Sequence, residues 1–377
     1  MKKILFLAVS AILLAASCQK TEIINQAPGE SLTFAPYLGK LTKAAENADL
    51  EDGKQHLKDQ DFYVWAYADF EDELNGKPDL DQIYDNINGV KVENDDNNKW
   101  KTDLDYYWPG QNKKLNFFAV SGIDDPTTVN IQINRSENQP NPSLSIANYV
   151  ADGETDLMVA DFVNQAQNNG ETSTKQVNLN FRHTLSKVQF LFKTETSTSS
   201  EDNDQVLVQH ITVANVKTTA NLTVAKNADE KTNTLKPYLA TWTEPSSESD
   251  STTLTEDYDG DGLENAAEET DFDLDIQWIN SNNKDYTAMK LGDEAEPFAT
   301  WLLMPQTIVS DDFELNVKVL YLMGKRQIES TFVLNSTNLK RWGENQYIRY
   351  IITLTPNKIT FVPDVKDWEA EDVEMGN

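Results

Sequence analysis

Cysteine is almost absent from this sequence, because its 377 residues contain only one, Cys18. A single thiol cannot form an intramolecular disulfide, so the folded state must be stabilised by apolar cores. Hydrophobic residues make up 39% of the chain, with 15 Phe, 13 Tyr and 8 Trp among them. That supply of large side chains is sufficient to build such cores.

Histidine is scarce as well, and no catalytic or zinc-binding pattern is present. His56, His183 and His210 are far apart in sequence and lack the spacing of a Cys/His zinc site. There is no G-x-S-x-G, no H-E-x-x-H and no glycine-rich phosphate loop. Acidic residues are numerous enough for a glycosidase pair, but their number does not place two of them together. The sequence therefore predicts that the protein is not an enzyme, and that His183 is a core-edge histidine hydrogen-bonded to backbone.

Positive charge is in short supply. The chain carries 32 Lys and Arg against 62 Asp and Glu, a formal net charge of -30 at pH 7. A surface of this sign repels nucleic acid and anionic lipid. We therefore expect no nucleic-acid partner.

Long apolar runs are missing except near the start of the chain. Residues 4–16 form a predominantly apolar segment after Lys2 and Lys3. The run is shorter than the ~20 residues of a transmembrane helix, and it has the charged and apolar regions of a secretory signal peptide. The sequence therefore predicts an exported protein with no membrane-spanning helix.

The segment that follows this run is residues 14–18, LAASC. It resembles the lipobox of bacterial lipoproteins. The resemblance implies that residues 1–17 are a lipoprotein signal peptide, that Cys18 is acylated, and that this lipid is the chain's only attachment to the outer membrane. The alternative is an ordinary secretory signal followed by an incidental cysteine. Residues 18–31 are polar and are interpreted as a tether between the lipid and the fold.

Beyond the tether, no long segment has the i, i+3, i+4 apolar stripe of a helix. Apolar residues instead alternate with polar ones, as in residues 129–133 (VNIQI) and 313–321 (FELNVKVLY), and clusters of Asn, Asp, Gly, Pro and Ser separate the alternating segments. Alternation of this kind buries one face of a strand and exposes the other. The sequence predicts an all-β chain of two antiparallel β-sandwich domains, residues 32–183 and 184–377.

Nine short segments follow one another over most of residues 32–368. They are residues 61–67 (DFYVWAY), 106–109 (YYWP), 115–119 (LNFFA), 156–160 (DLMVA), 181–188 (FRHTLSKV), 303–306 (LMPQ), 342–347 (WGENQY), 359–361 (ITF) and 365–368 (VKDW). In their order and spacing they together resemble the fimbrillin family of Bacteroidetes, which contains type V pilus subunits and their Mfa-like relatives.

This resemblance implies two tandem transthyretin-like β-sandwich domains, export as an outer-membrane lipoprotein, and assembly into a surface fimbria. The expected partners are other fimbrial subunits, together with a host or bacterial surface ligand. Stalk, tip and anchor subunits all belong to the family, so the position within a fibre stays open.

One segment carries the spacing of a metal site. Residues 257–268 (DYDGDGLENAAE) fit the EF-hand-type calcium loop, with a glycine at the turn position. Its flanks lack amphipathic helices, and Glu264 stands where an apolar residue is usual, so we expect a lone calcium loop inserted in the C-terminal domain. The predicted oxygen ligands of this structural Ca²⁺ are Asp257, Asp259, Asp261, the backbone carbonyl of Leu263, Asn265 and Glu268.

The segment after the first strand is basic in an otherwise acidic chain. In the family that the sequence resembles, a surface protease cuts a loop at this point. Lys43, followed by Ala44, is the first candidate for the cut, and Lys40 is the second. The family protease is commonly arginine-specific, so the lysines leave an uncut surface loop as the alternative.

The resemblance further implies assembly by donor-strand exchange, in which a C-terminal segment of one subunit replaces the lost first strand of its neighbour. Ile359 and Phe361 alternate around Thr360 and are the predicted donor side chains, while Pro363 favours an edge strand. The alternative is that residues 359–368 close their own C-terminal domain.

A second function class remains open, a surface glycan-binding lipoprotein. Exposed Trp residues stack on sugar rings, and Trp65, Trp100, Trp242 and Trp368 are the candidates. Aromatic residues at alternating strand positions are more often core residues.

Overall fold

The computed structural model describes residues 31–38, 60–71, 78–79, 88–95, 99–108, 114–136, 139–166, 176–195, 206–226, 238–243, 251–257, 278–279, 285–286, 288–310, 313–314, 316–323, 326–333, 341–355 and 358–367. All regular secondary structure in these ranges is β-strand, which confirms the all-β prediction. None of the described residues forms a helix with the length and apolar character needed to cross a membrane.

The strands of the first half of the chain are β1 (Thr33–Leu38), β2 (Phe62–Glu71), β3 (Pro78–Asp79), β4 (Val90–Asn94), β5 (Trp100–Thr102), β6 (Lys114–Ser121), β7 (Asn130–Ser136), β8 (Gln139–Val150), β9 (Met158–Ala166) and β10 (Gln176–His183).

The strands of the second half are β11 (Ser186–Thr194), β12 (Val206–Lys217), β13 (Thr219–Lys226), β14 (Tyr238–Thr243), β15 (Ser251–Asp257), β16 (Trp278–Ile279), β17 (Asp285–Tyr286), β18 (Met289–Lys290), β19 (Glu296–Leu303), β20 (Val309–Ser310), β21 (Phe313–Glu314), β22 (Asn316–Met323), β23 (Arg326–Val333), β24 (Gln346–Thr355) and β25 (Lys358–Asp367).

Seven N-terminal strands form a sheet that closes on itself. The sheet runs β2-β4-β5-β1-β10-β9-β6, and β6 pairs with β2 again over eight register positions, from Phe62–Ser121 to Asp69–Lys114. Alternating side chains point inward and fill this barrel-like unit, since one face of each strand is apolar. The inward side chains include Leu32, Phe34, Phe62, Val64, Val92, Trp100, Leu115, Phe117, Met158, Val177, Leu179 and Phe181.

The C-terminal strands form a two-layer sandwich. One layer is β19-β11-β24-β25, and the other is β15-β12-β22-β23 with β18 added beside β12. The core between the layers includes Phe190, Phe192, Ile211, Val319 and Tyr350. Most strands pair antiparallel, but β11 and β24 run parallel, as do β1 and β10.

A third sheet, β14-β13-β8-β7, takes strands from both sides of the predicted domain boundary at 183/184. Strand β13 pairs with β8 from Thr219–Val150 to Val224–Leu144. The apolar face of this sheet covers Trp65 and Phe118, which point out of the N-terminal barrel, and the same cluster contains Tyr347 of β24. The two halves of the chain therefore share a buried cluster as well as a sheet.

A buried glutamine explains two of the family-like segments. The Gln306 side chain accepts a hydrogen bond from the Lys217 backbone N–H at 3.0 Å and donates to the Lys217 carbonyl at 3.1 Å. Its own backbone exchanges two hydrogen bonds with Trp342, at 3.1 and 2.8 Å. Gln306 thus provides hydrogen-bond partners for the Lys217 backbone at the end of β12. Its own backbone holds Trp342, which lies in the segment that leads into β24.

Candidate functional site

The first strand, β1, completes the N-terminal barrel. It pairs parallel with β10 at six positions, from Thr33–Gln176 to Leu38–Phe181. On its other side it pairs with β5 at one position, Phe34–Trp100. Strand β1 is therefore held mainly by one neighbour.

The sequence of β1 suits a strand with one buried face. Leu32 and Phe34 are 2% and 1% exposed, and both belong to the barrel core. The Phe34 ring makes edge-to-face contacts with Phe62 and Phe117 at centroid distances of 6.0 and 6.2 Å. Burial of two such side chains contributes roughly 3–6 kcal/mol.

Pro36 limits how firmly this strand can be held. It lies in β1 opposite Leu179, and it has no backbone N–H to donate to a neighbouring strand. A proline in this position is typical of a strand with an incomplete ladder.

A short segment near Tyr106 supports the start of β1. The backbone N–H of Leu32 donates to the Tyr106 carbonyl at 2.6 Å, and Ser31 forms an isolated antiparallel bridge with Tyr107. Trp108 next to them is buried, whereas Leu104 and Tyr107 are exposed at 67% and 45%. The sequence indicated a strand end at this YYWP segment but gave no sign that it pairs with β1.

Removal of β1 would leave a defined groove. The backbone of β10 from Gln176 to Phe181 would lose its parallel partner, and the space of Leu32 and Phe34 would open above Phe62. Unpaired backbone and an apolar cavity are both costly, so the opened unit requires a replacement strand.

Several predicted sites fall outside the described residues. These are the signal peptide and Cys18, most of the tether, and both candidate cleavage positions, Lys40 and Lys43. The described part of the chain does contain the end of β1 at Leu38, which immediately precedes the lysine segment.

The predicted donor segment lies in β25, at the edge of the C-terminal sandwich. β25 pairs with β24 over ten positions, including Ile359–Leu354 and Phe361–Ile352. Ile359 packs partly buried against the C-terminal core, and Val362 is 62% exposed. In the isolated chain this segment closes its own sheet, away from the groove that β1 fills.

The calcium prediction can be followed at one ligand. Asp257 is the exposed last residue of β15, and its Oδ1 lies 2.6 Å from Nδ1 of His210 on β12. The other predicted ligands, Asp259, Asp261, Leu263, Asn265 and Glu268, lie outside the described residues. Among the residues that the structure does describe, no three His, Cys, Asp or Glu side chains form a group that could hold a metal ion.

The two-residue connection between β10 and β11 is a polar junction that the sequence did not indicate. His183 is buried with its Nδ1 2.5 Å from Oδ2 of Asp156, a carboxylate contact that the sequence did not indicate. The Thr184 carbonyl accepts a hydrogen bond from the Trp242 indole at 2.7 Å, and the Leu185 carbonyl accepts one from the Asn345 backbone at 3.0 Å.

Two of the four tryptophans considered for sugar stacking are buried, and a third is half-buried. Trp65 and Trp100 are 1% and 4% exposed core residues. Trp242 is half-buried against the cluster under the third sheet, and Trp368 lies outside the described residues. Aromatic alternation here reflects core packing.

One protein-family model matches most of this chain. The model of the fimbrillin-like family matches residues 42–368. Among solved structures, a fimbrial protein from Bacteroides vulgatus superposes with a TM-score of 0.52 at 14% identity, covering 90% of this chain and 100% of that one. A fimbrial assembly protein from Parabacteroides distasonis gives a TM-score of 0.37 at 12% identity, covering 89% and 98%. No curated protein matches the chain significantly.

The family match spans most of the chain, and the neighbour with a TM-score above one half supports the fold independently. The resemblance that the nine short segments suggested is therefore confirmed, and the chain belongs to the fimbrillin-like family.

Proposed function

We propose that this chain is a non-enzymatic, cell-surface fimbrial subunit or fimbria-associated adhesin, exported as a lipoprotein and assembled by donor-strand exchange. The observation that carries the proposal is the placement of β1. It is a short parallel strand with a buried face, held mainly by β10, and it ends directly before the lysine segment.

A cut after Lys43 or Lys40 would separate β1 from the rest of the chain. The released strand would keep only the contacts of its own residues with β10, β5 and the Tyr106 segment. Because these contacts are no longer reinforced by chain connectivity, an incoming strand could compete for the groove.

The replacement strand is proposed to be β25 of a neighbouring subunit. Its edge position means that it leaves by breaking one ladder, the one with β24. Ile359 and Phe361 alternate as do Phe34 of β1 and Leu32 just ahead of it, so backbone pairing and two apolar side chains could fill the same groove. A tip subunit would need only the groove, so the donor role distinguishes stalk from tip.

A further part of the proposal concerns attachment to the outer membrane. Acylation of Cys18 would hold the uncut chain at the outer membrane, and the cut would release it from the lipid. Labelling with a fatty-acid analogue tests this part, and equal label on wild type and Cys18→Ala would contradict it.

Calcium binding at residues 257–268 is proposed as a structural role. A lone extracellular loop of this kind binds in the ~0.1–1 mM range. Calorimetry should give calcium-dependent heat for the wild type and none for the Asp257→Ala/Glu268→Ala double variant. No heat from the wild type would contradict the site.

The assembly proposal is tested with an engineered cut. A recognition sequence for a specific protease replaces residues 40–43 in the unlipidated chain, and light scattering follows mass before and after cleavage. We expect monomers before the cut and high-molecular-weight polymers after it. A cut chain that loses β1 and remains monomeric would contradict donor-strand exchange.

Two variants identify the donor. Deletion of residues 357–377 should leave a cut protein that folds but does not polymerise. Because this deletion also exposes the edge of β24, Phe361→Asp provides a second variant that retains the strand's backbone. Polymerisation of both variants at the wild-type level would assign the donor strand elsewhere.

A further inference from the structure

Among the side chains that the structure describes, the outward positions of the third sheet carry no charge. Its inward positions, such as Ile131, Ile146, Leu222 and Trp242, belong to or pack against the buried cluster. The alternate positions in residues 130–134, 145–147, 221–223 and 241–243 point outward, and we call them the neutral face. They consist of Asn, Gln, Ser, Thr and one Ala, in a chain of which 25% is charged.

The outward faces of the C-terminal sandwich are different. Lys318 and Glu329 form an ion pair at 2.7 Å on one layer, and Arg349 and Asp364 form another at 2.7 Å on the other layer. Both layers therefore carry charge on their solvent side, as expected for a chain with a net charge of -30.

The side chains of the neutral face form ordered rows. One row crosses all four strands through Gln132, Ser145, Thr223 and Thr241, which are register neighbours. Hydrogen bonds link neighbouring side chains, for example from Asn134 Nδ2 to Ser145 Oγ at 3.1 Å. Rows held by such bonds lose less side-chain entropy on contact with a partner.

The chemistry of this face is complementary to itself. Amide and hydroxyl groups both donate and accept hydrogen bonds, so two copies of the face can pair about a two-fold axis. Two copies of any acidic face would repel each other, whereas a face without charge lets two chains of net charge -30 meet without burying like charges. The face also lacks the Tyr, Trp, Met and Arg side chains that typify docking sites for an unrelated protein.

We propose that the neutral face is an isologous contact surface for a second copy of this chain, which joins subunits side by side. The contact does not use β1 or β25 and is independent of donor-strand exchange.

The size of the face sets the strength of the contact. Four strands about 4.8 Å apart, with about three to five residues each at about 3.3 Å, cover on the order of 200 Å² per copy. This is well below the roughly 800 Å² per partner of a stable interface, so a pair of single subunits associates weakly. In a fibre the same contact would repeat and gain strength from multivalency.

Sedimentation velocity of the uncut, unlipidated chain over a concentration series tests the proposal. We expect a reversible monomer–dimer equilibrium that strengthens as NaCl is raised, because salt screens the repulsion between acidic copies. Gln132→Glu changes charge with almost no change of shape, and Thr241→Glu adds charge at the other edge of the face. Each should weaken dimerisation at least about tenfold.

Thr331→Glu on β23 is the matched control, since Thr331 is an exposed strand residue of the charged C-terminal layer. It should leave dimerisation unchanged. Thr241→Lys separates a local effect from net charge, because it reduces the negative charge and should still weaken the dimer. Any of three results overturns the proposal. The chain could remain a monomer at every protein and salt concentration, or Thr331→Glu and Gln132→Glu could weaken dimerisation equally. The third is binding of a glycan, tested with dextran, that Gln132→Glu abolishes.

Discussion

Strands β1 and β24 each pair parallel with one neighbour and antiparallel with another, but they differ greatly in the number of paired positions. β1 pairs with β10 at six positions and with β5 at one. β24 pairs with β11 at nine positions and with β25 at ten. Since backbone ladders on both sides must break before a strand can leave, β1 is the more weakly held of the two strands and β24 is integral to its sheet.

Side-chain packing strengthens the same contrast. Four side chains of β24 (Ile348, Tyr350, Ile352 and Leu354) are fully buried. The Tyr350 ring stacks on Phe190 at 5.3 Å, and its hydroxyl accepts a hydrogen bond from the Trp342 indole at 2.9 Å. β1 contributes Phe34 and carries Pro36, with Leu32 just ahead of it, so less free energy is lost when it is displaced.

Placing a charge in each strand should have the largest effect. An ionised carboxylate buried in a core costs several kcal/mol, comparable with the 5–15 kcal/mol total stability of a domain. Ile352→Asp should therefore unfold the C-terminal sandwich. Phe34→Asp should expel β1 and open the N-terminal barrel, and the C-terminal sandwich should remain folded. Hydrogen exchange read by mass spectrometry measures both outcomes.

The informative peptides are those from β11 and β12. They should stay protected in Phe34→Asp and lose protection in Ile352→Asp. Loss of protection in both variants would mean that β1 is as integral to the molecule as β24, and the contrast between the two strands would fail.

Gln306→Ala should produce the next largest effect, because it removes the support in front of β24. The change removes the side-chain acceptor of the Lys217 N–H and the side-chain donor to the Lys217 carbonyl and to the buried Met304 carbonyl. A buried unsatisfied group costs about 1–3 kcal/mol. Urea unfolding should show a loss in that range, and a loss below about 0.5 kcal/mol would mean that water replaces the side chain.

The sequence predicted the strands well, because alternation is a local signal. Residues 62–67 and 347–354 lie within β2 and β24 since their apolar positions have period two. Pro363 favoured an edge strand, and β25 lies at the edge of its sheet.

Features that depend on long-range pairing were less predictable. Periodicity does not state which strands pair, so neither the closed barrel nor the sheet shared by β8 and β13 could be predicted. The Asp156–His183 contact joins residues 27 positions apart, and the antiparallel pairing of β9 with β10 brings them together. The groove prediction rested on the family resemblance, since β1 has no local mark of exchangeability except Pro36.

Tyr350→Phe tests the packing of β24 with a smaller change. It leaves the buried Trp342 indole N–H without its acceptor, which costs about 1–3 kcal/mol. Burial raises the pKa of Tyr350, and the hydrogen bond from Trp342 opposes this shift. The stability that the raised pKa of Tyr350 contributes is therefore fully present below pH 10. It is lost as pH rises above that value, because the tyrosine of the unfolded chain ionises first, at about pH 10.

Urea unfolding at pH 8 and pH 11 measures this effect. Tyr350→Phe should be less stable than wild type at pH 8 and should lose less stability between the two pH values. Stability still depends on pH in both proteins because of Tyr149, since burial raises its pKa as well. Equal alkaline losses in wild type and variant would show that Tyr350 does not contribute to the pH dependence.

Asp364→Asn should have the smallest effect, although it lies in the strand that is proposed to move between subunits. Asp364 of β25 forms an ion pair with Arg349 of β24 at 2.7 Å, with the side chains 40% and 27% exposed. Pairs with this exposure contribute about 0.2–1 kcal/mol, and the loss should disappear in about 1 M salt, where the Debye length is about 3 Å. Comparing unfolding free energies of wild type and variant at low and high salt checks the size of this loss.

Hydrogen exchange of β25 separates the two ways in which the strand could be held. If the ten-position ladder with β24 holds β25, its protection survives the substitution. If protection is lost, the ion pair holds β25, and the C-terminal strand is then as easily displaced as β1.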